Sequence, residues 1–166
     1  MNLVGTHSNQ GLVASLHLHP PEPGAPLENV ASFEVREAKG IEGDTRYFGR
    51  VSRDSGKPSR RQVTLMEREQ IVQHATALGL KEIAPGAVRA NIETTGIYLV
   101  TLIGCEIKIG EAILLLYALR DPCSKMDAIC QGLRERMLHS RQGVLAEVVR
   151  GGLIRIGEVV RVRRAS

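Results

Sequence analysis

The chain has 166 residues, 43% of them hydrophobic, which suits one domain able to bury a core without disulfides or a structural metal. Three cysteines, an odd number, and no charged-then-apolar leader in MNLVGTHSNQ point to free thiols in a reducing, cytoplasmic setting; the longest apolar run, residues 112–119, is far too short to span a membrane. A formal charge of +4 would suit nucleic acid, but with two Phe, three Tyr, no Trp and no reading motif, neither nucleic acid nor a membrane is an expected partner.

Residues 12–19 read as a strand, closed by PPEPGAP, whose prolines exclude helix and central strand alike. His17 and His19 alternate onto one face of it; with no third ligand nearby they are expected at the surface and not on a metal. Residues 30–36 (VASFEVR) read as a second strand that runs into GIEGD, where Asp44 after Gly43 has the placement of a turn cap. The loop RVSRDSGKPSRRQ then gathers Arg50, Arg53, Lys57, Arg60 and Arg61. Such a loop suits a small anion such as a phosphorylated cofactor, or is simply solvated. A second basic cluster is formed by Arg161, Arg163 and Arg164.

Residues 62–66 read as a short strand. In EREQIVQHATALGL, Ile71, Val72, Ala75 and Leu78 make an apolar helical stripe, Gly79 offers a stop, and His74 is expected on the helix surface. Beyond the turn Ala84-Pro85-Gly86 come RANIETTG, IYLVTLIG, CEIKIGEAILLLYAL and GVLAEVVRGGLIRIGEVVRVR, all punctuated runs of β type. IKIGEA at 107–112 recurs as IRIGEV at 154–159, which predicts two similar strand–turn–strand corners. The fold class is therefore mainly β, with two or three helices. Short strands at this spacing favour a barrel over a parallel sheet, since only one long helix could serve as a crossover.

The densest chemistry lies in the turn Arg120-Asp121-Pro122-Cys123-Ser124-Lys125, between the apolar run and a helical stripe of Met126, Ile129, Cys130, Leu133 and Met137. Asp121 is able to cap that helix and Pro122 is preset for its first position, so Cys123 is predicted at a helix start. Unpaired amides, the helix dipole, Arg120 and Lys125 would favour a thiolate there, while Asp121 opposes it. The same pattern also fits a cysteine buried in a strand-to-helix corner as a small hydrophobe. Cys105, beside Gly104 in a strand, and Cys130, on the apolar stripe, read as packing residues.

Four strings, GIEGD at 40–44, RQVTLM at 61–66, RANIETTGI at 89–97 and IKIGEAILLLYALRDPC at 107–123, in that order and at those separations resemble the MOSC family, the domain named for the C-terminal part of molybdenum cofactor sulfurase. The closing RQGVLAEVVRGGLIRIGEVV is similar to the end of the small stand-alone members. The resemblance runs from 10 to 163 and implies a single MOSC domain over 1–166, a MOSC-type β-barrel with peripheral α-helices. It also places Cys123 at the hallmark cysteine, which carries sulfur in the sulfurases and ligates molybdenum in amidoxime-reducing relatives, so Cys123 is both the catalytic and the metal candidate. Arg89 and Asn91 match residues that hold the pterin or its phosphate. Ala90 stands where a glutamate is usual, and Thr45, Arg46 and Tyr47 follow GIEGD where the family commonly has histidine or asparagine.

What the resemblance implies for function is a protein linked to the molybdenum cofactor, binding the pterin, carrying sulfur through Cys123, or both. Two alternatives stand beside it: a molybdenum-dependent reductase of N-hydroxylated compounds, and a non-catalytic barrel without cofactor. Molybdenum favours soft sulfur ligands, two from the pterin dithiolene and one from a protein thiolate, and a phosphate on the pterin would draw arginines. The expected cofactor-binding set is Arg61, Arg89, Asn91, Arg120, Ser124 and Lys125. A reductase would need an external electron donor and a sulfur carrier an external cysteine desulfurase. Pyridoxal phosphate is not expected, because no lysine stands in a recognisable Schiff-base setting.

Overall fold

The structure, a computed structural model, describes residues 9–163; the remaining residues, Arg164 of the basic cluster among them, lie outside the described residues. The first strand, β1 (Gln10–Leu18), carries a register shift between Val13 and Ser15, so that Val13 and Leu16, three positions apart, both turn into the core. It is followed by β2 (Glu28–Val30), β3 (Ser32–Arg36), β4 (Gly40–Ile41), β5 (Val63–Glu67), α1 (Arg68–Ala77) and β6 (Ile92–Thr95). A 3-10 turn (Leu99–Leu102) leads to β7 (Glu106–Ile109), β8 (Ala112–Leu119), the short helices α2 (Lys125–Ile129) and α3 (Leu133–Met137), and then β9 (Val144–Arg150), β10 (Gly152–Arg155) and β11 (Val159–Arg163).

Seven of these strands close into a barrel in the order β11-β7-β8-β9-β5-β6-β1, the ring being completed by β1 against β11. Closure leaves no free ladder edge among them. One edge of β1 is shared: Gln10, Gly11 and Leu12 pair with β11, while Leu16, His17 and Leu18 pair with β2. The single parallel pair among the described strands is β5 with β6, and α1 is the helix that crosses between them. A three-stranded sheet, β10-β3-β4, adds Phe33, Val35, Ile41 and Ile154 to the buried cluster that fills the barrel.

A second apolar cluster lies outside the barrel wall. Met66, on the face of β5 opposite Val63 and Leu65, packs with Ile71 and Ala75 of α1, with Val88, and with Met126, Leu133 and Met137 of the two short helices. Each such side chain contributes on the order of 1.5–3 kcal/mol on burial, so both faces of β5 are anchored. No described helix is long and apolar enough to cross a membrane.

Several sequence expectations are corrected. Residues 30–36 are not one strand: the chain breaks at Ala31, whose carbonyl accepts Ile156 N–H, and β2 and β3 join different sheets. IYLVTLIG forms no strand: Leu99–Leu102 make a 3-10 turn whose Leu99 is buried in the barrel core. The helix foreseen through Met137 is two helices, since Gly132 adopts φ 93° and Cys130 is extended; Asp127 stabilises the break by accepting the Gly132 and Arg134 amides. IKIGEA forms the β7–β8 hairpin, whereas IRIGEV joins β10 to β11 across two sheets. His74 is buried, its Nε2 2.8 Å from the Arg141 carbonyl, and burial holds its pKa below the usual value.

Two expected outcomes follow from this packing. Gly143 (φ 85°) lies where an added Cβ would meet the Leu65 carbonyl oxygen at 2.0 Å, whereas Gly157 (φ 88°) has open space. Urea denaturation should therefore show Gly143→Ala costing about 2–4 kcal/mol and Gly157→Ala about 1 kcal/mol; equal costs would contradict the backbone contact. Glu67 is 3% exposed with Oε1 unpartnered, and burial, reinforced by Glu69, raises its carboxyl to about 7. A pKa raised in the folded state gives stability that is present below the unfolded value and is lost as pH rises through about 7. Glu67→Gln should therefore be more stable than the parent chain at pH 8 by about 1–3 kcal/mol, with the gap closing toward pH 5.

Candidate functional site

The segments at the strand ends converge on one hollow of about 510 Å³. His19 stands immediately after β1, Arg61 just before β5, Arg89 before β6, Arg120 after β8 and Gln142 before β9. The turn after β4 adds Arg46 and Tyr47, and the turn before α2 adds Asp121, Pro122, Cys123 and Lys125. Five cationic side chains thus face the hollow against one carboxylate, Asp121. Such a concave surface concentrates anions.

Arg120 is the most constrained of these groups. It is 7% exposed, Nη2 donates to the Val88 carbonyl at 2.7 Å, and Nη1 is buried without a partner. Burial lowers its pKa to about 10, with Arg61 and Arg89 pushing the same way and Tyr47 and Cys123 opposing, so the guanidinium remains charged at neutral pH. A buried charged donor with an unmade hydrogen bond costs several kcal/mol on the order of a lost charge-assisted bond, which an anionic oxygen in the hollow would restore. Gln142, 1% exposed, leaves Oε1 buried and unpartnered in the same hollow. An orphan donor and an orphan acceptor together match a ligand that carries both an anionic oxygen and an N–H group.

Cys123 is exposed and opens on this hollow, whereas Cys105 and Cys130 are half-buried. Its setting differs from the expected one. Helix α2 begins only at Lys125 and spans five residues, its N-cap is Ser124 with no side-chain capping bond, and Asp121 caps nothing. The cations around the sulfur come from side chains and not from helix-start amides. Cys105 lies in the bend before β7 and Cys130 ends α2, so neither sits in the strand or on the continuous stripe foreseen for it.

The two histidines also depart from expectation, both being buried: His17 because β2 and β6 cover the second half of β1, and His19, just past the strand, against Asp44 and Tyr47. His17 is held by Ser15 and Asn29, with Glu93 at 3.5 Å, and stays behind the barrel wall. His19 reaches the hollow. Its Nδ1 lies 2.8 Å from Asp44 Oδ2, and its ring meets Tyr47 edge-on at 5.2 Å. Burial alone would raise the Asp44 carboxyl, but the hydrogen bonds from the His19 ring, the His19 amide and the Tyr47 amide outweigh it and hold it below the usual range. An ionised Asp44 accepts, so Nδ1 donates and Nε2 is the nitrogen left for the hollow; it makes no hydrogen bond among the described residues.

Of the residues singled out in the sequence, Cys123, Arg61, Arg89, Arg120 and Lys125 come together around the hollow, and Asn91 and Ser124 do not line it. Asn91 is wholly buried with every side-chain bond made internally: Oδ1 accepts the Thr64 amide and hydroxyl, and Nδ2 donates to His17 O and to Asp44 Oδ2. It therefore positions Asp44 and cannot also reach a ligand. Ser124 is exposed and lies outside the lining. Sequence reasoning missed His19, Gln142, Arg46 and Tyr47 as lining residues, although the sequence reading marks Thr45, Arg46 and Tyr47 after GIEGD. Among the described residues no three His, Cys, Asp or Glu side chains gather as a metal site, so a metal at Cys123 would take further ligands from a bound molecule.

Comparison with known proteins bears on the family and the fold. A family model described as the MOSC domain matches residues 25–161. No curated protein matches the sequence. Among solved structures, the YuaD protein from Bacillus subtilis is similar with a TM-score of 0.78 at 18% identity, covering 95% of this chain and 97% of that one. YiiM from Geobacillus stearothermophilus is similar with a TM-score of 0.71 at 18% identity, covering 93% and 75%. YiiM from Escherichia coli gives 0.66 at 18% identity, covering 95% and 71%. At these identities the likeness establishes a shared fold. With its closed barrel and a family model that spans most of its length, the chain belongs to the MOSC domain family, a family associated with the molybdenum cofactor.

Proposed function

We propose that this hollow binds the molybdenum–pterin cofactor and that Cys123 is the protein's sulfur toward its metal. The observation that carries the reading is the buried, unpaired Arg120 Nη1, placed with the unpaired Gln142 Oε1 in the same cationic hollow onto which an exposed thiol opens. Arg120, Arg61, Arg89 and Lys125 would hold the phosphate, Gln142 would accept from a ring N–H, and Cys123 would add a thiolate to soft sulfur ligands that the pterin brings. When bound, the cofactor would supply a redox-active metal able to take oxygen from an N-hydroxylated substrate. The chain's own contribution would be to neutralise the anion and to offer His19 Nε2 as a proton acceptor, with Asp44 fixing the ring.

A second reading is favoured by the exposure of Cys123: a sulfur reachable from outside suits a persulfide handed on by a partner, a cysteine desulfurase being the donor by chemical class. The reductase reading in turn draws on an external electron donor.

Both readings are separated by metal and mass analysis of protein made in cells able to synthesise the cofactor. About one molybdenum per chain, lost in Cys123→Ser, is expected for ligation; no metal, with the mass of one added sulfur on Cys123, would favour carriage. Arg120→Met should retain or gain about 1 kcal/mol of stability, because a buried charge is removed, yet weaken binding of sulfate as a phosphate probe by about tenfold or more. Undiminished sulfate binding would remove the anion argument. Iodoacetamide is expected to label Cys123 before Cys105 and Cys130 on exposure alone, and equal rates for all three would contradict the open position of the sulfur.

A further inference from the structure

Beside the cationic hollow lies a second one, of about 540 Å³, and the two share Arg89 and Lys125 as a common wall. Its other walls differ in kind. Pro26 and Leu27 of the proline-rich loop, Ala87 of the turn before β6, and Ala128 and Ile129 of α2 make it largely apolar. Of its few polar side chains, Asn29 Oδ1 is bonded to His17 Nδ1 at 2.7 Å and Arg89 Nη1 donates to the Ala25 carbonyl at 2.9 Å, which leaves Lys125 at the rim. A donor- and acceptor-rich ring such as a pterin finds few partners here, whereas an uncharged ring loses little by leaving water.

The common wall is unusually built. Arg89 has φ 65°, left-handed for a residue with a Cβ, and its amide closes a turn onto the Gly86 carbonyl at 3.0 Å. That conformation costs on the order of 1–3 kcal/mol and is kept where the surroundings demand it. Here it sets the guanidinium on the partition, pinned to the proline-rich loop. Lys125 stands beside it with no ion-pair partner among the described residues. The result is an apolar trough that ends on a cationic sill, beyond which lies Cys123.

We propose that this second hollow is the substrate subsite, taking the flat, uncharged body of an aromatic or heteroaromatic molecule of one or two rings whose polar substituent crosses the Arg89–Lys125 sill toward Cys123. The inference rests on the reading of the Cys123 hollow as the reacting centre. The volume suits a small organic molecule; a protein partner needs a face of about 1,000 Å² or more, far beyond this trough. Ring burial against proline and alanine supplies the attraction, and the sill cations orient a ring that carries an electron-rich or anionic group.

The test uses 2-naphthoate, a flat two-ring carboxylate, and sulfate as separate probes, titrated calorimetrically into the full chain. Ala128→Trp fills the trough from an exposed position of α2, and is expected to weaken naphthoate binding by about tenfold or more while sulfate binding stays within about twofold. In the parent chain, ring-to-methyl NOEs to Ala87 and Ala128 are expected whether or not the tryptophan variant folds. Sulfate binding without naphthoate binding, or naphthoate binding indifferent to Ala128→Trp and lacking those NOEs, overturns the subsite and leaves the cofactor reading standing. Naphthoate held in the trough, with no sulfate bound by the parent chain, would support the subsite and count against the cofactor reading alone.

Discussion

The carboxylate of Asp44 is the point on which the site depends. It is buried and ionised, and such a charge is tolerable only when every lone pair is met. Five donors meet it: the amides of Arg46 and Tyr47 at Oδ1, and the His19 amide, the His19 ring and Asn91 Nδ2 at Oδ2. Those donors come from the end of β1, the turn after β4 and the approach to β6, and Asn91 extends the network through Thr64 into β5. Satisfying one charge therefore fixes the relative positions of four chain segments. His19 and Tyr47 face the hollow because the donors on either side of them are committed to Asp44.

A second buried carboxylate, Glu93, has the same logic. Glu93 is raised by burial and lowered further by bonds from His17, the Gly86 amide and Arg68, so it too is held below the ordinary range. This pairing locks the turn that precedes Arg89, and hence the partition between the two hollows. Both carboxylates act as internal fasteners, and neither is exposed to a ligand.

Against these satisfied groups, three departures from good local structure stand in the walls of the hollows, while others, such as the unpartnered Glu67 Oε1 and the left-handed Ala38, His139 and Ser140, lie elsewhere. Arg120 Nη1 and Gln142 Oε1 lack partners, and Arg89 carries a left-handed backbone, all in walls of the hollows. Local rules are broken at the cost of stability mainly where function needs a preformed surface. The barrel can carry that cost because its strands are closed upon themselves and its wall is anchored on both faces of β5.

Read alone, the sequence determined the class of fold and the neighbourhood of the chemistry. The strand read over residues 12–19, the helical stripe of Ile71, Ala75 and Leu78, from which only Val72 turns out to solvent, and the hairpin in IKIGEAILLLYAL are local patterns, and the corresponding elements formed. The cations of the Arg61, Arg89 and Arg120 segments, with Cys123, were equally visible. Which of those side chains share a surface was not. His17 and His19 have the same spacing and type, yet only the second reaches the hollow, because pairing with β2 and β6 covers the first. Asn91 looked like a ligand residue and is a brace, since the partners that engage it lie 27 or more positions away in the chain. Gln142 left no local mark at all. Local pattern fixes which face of an element is apolar, but burial and hydrogen-bond satisfaction are properties of the assembled contacts, and only closure of the barrel decided them.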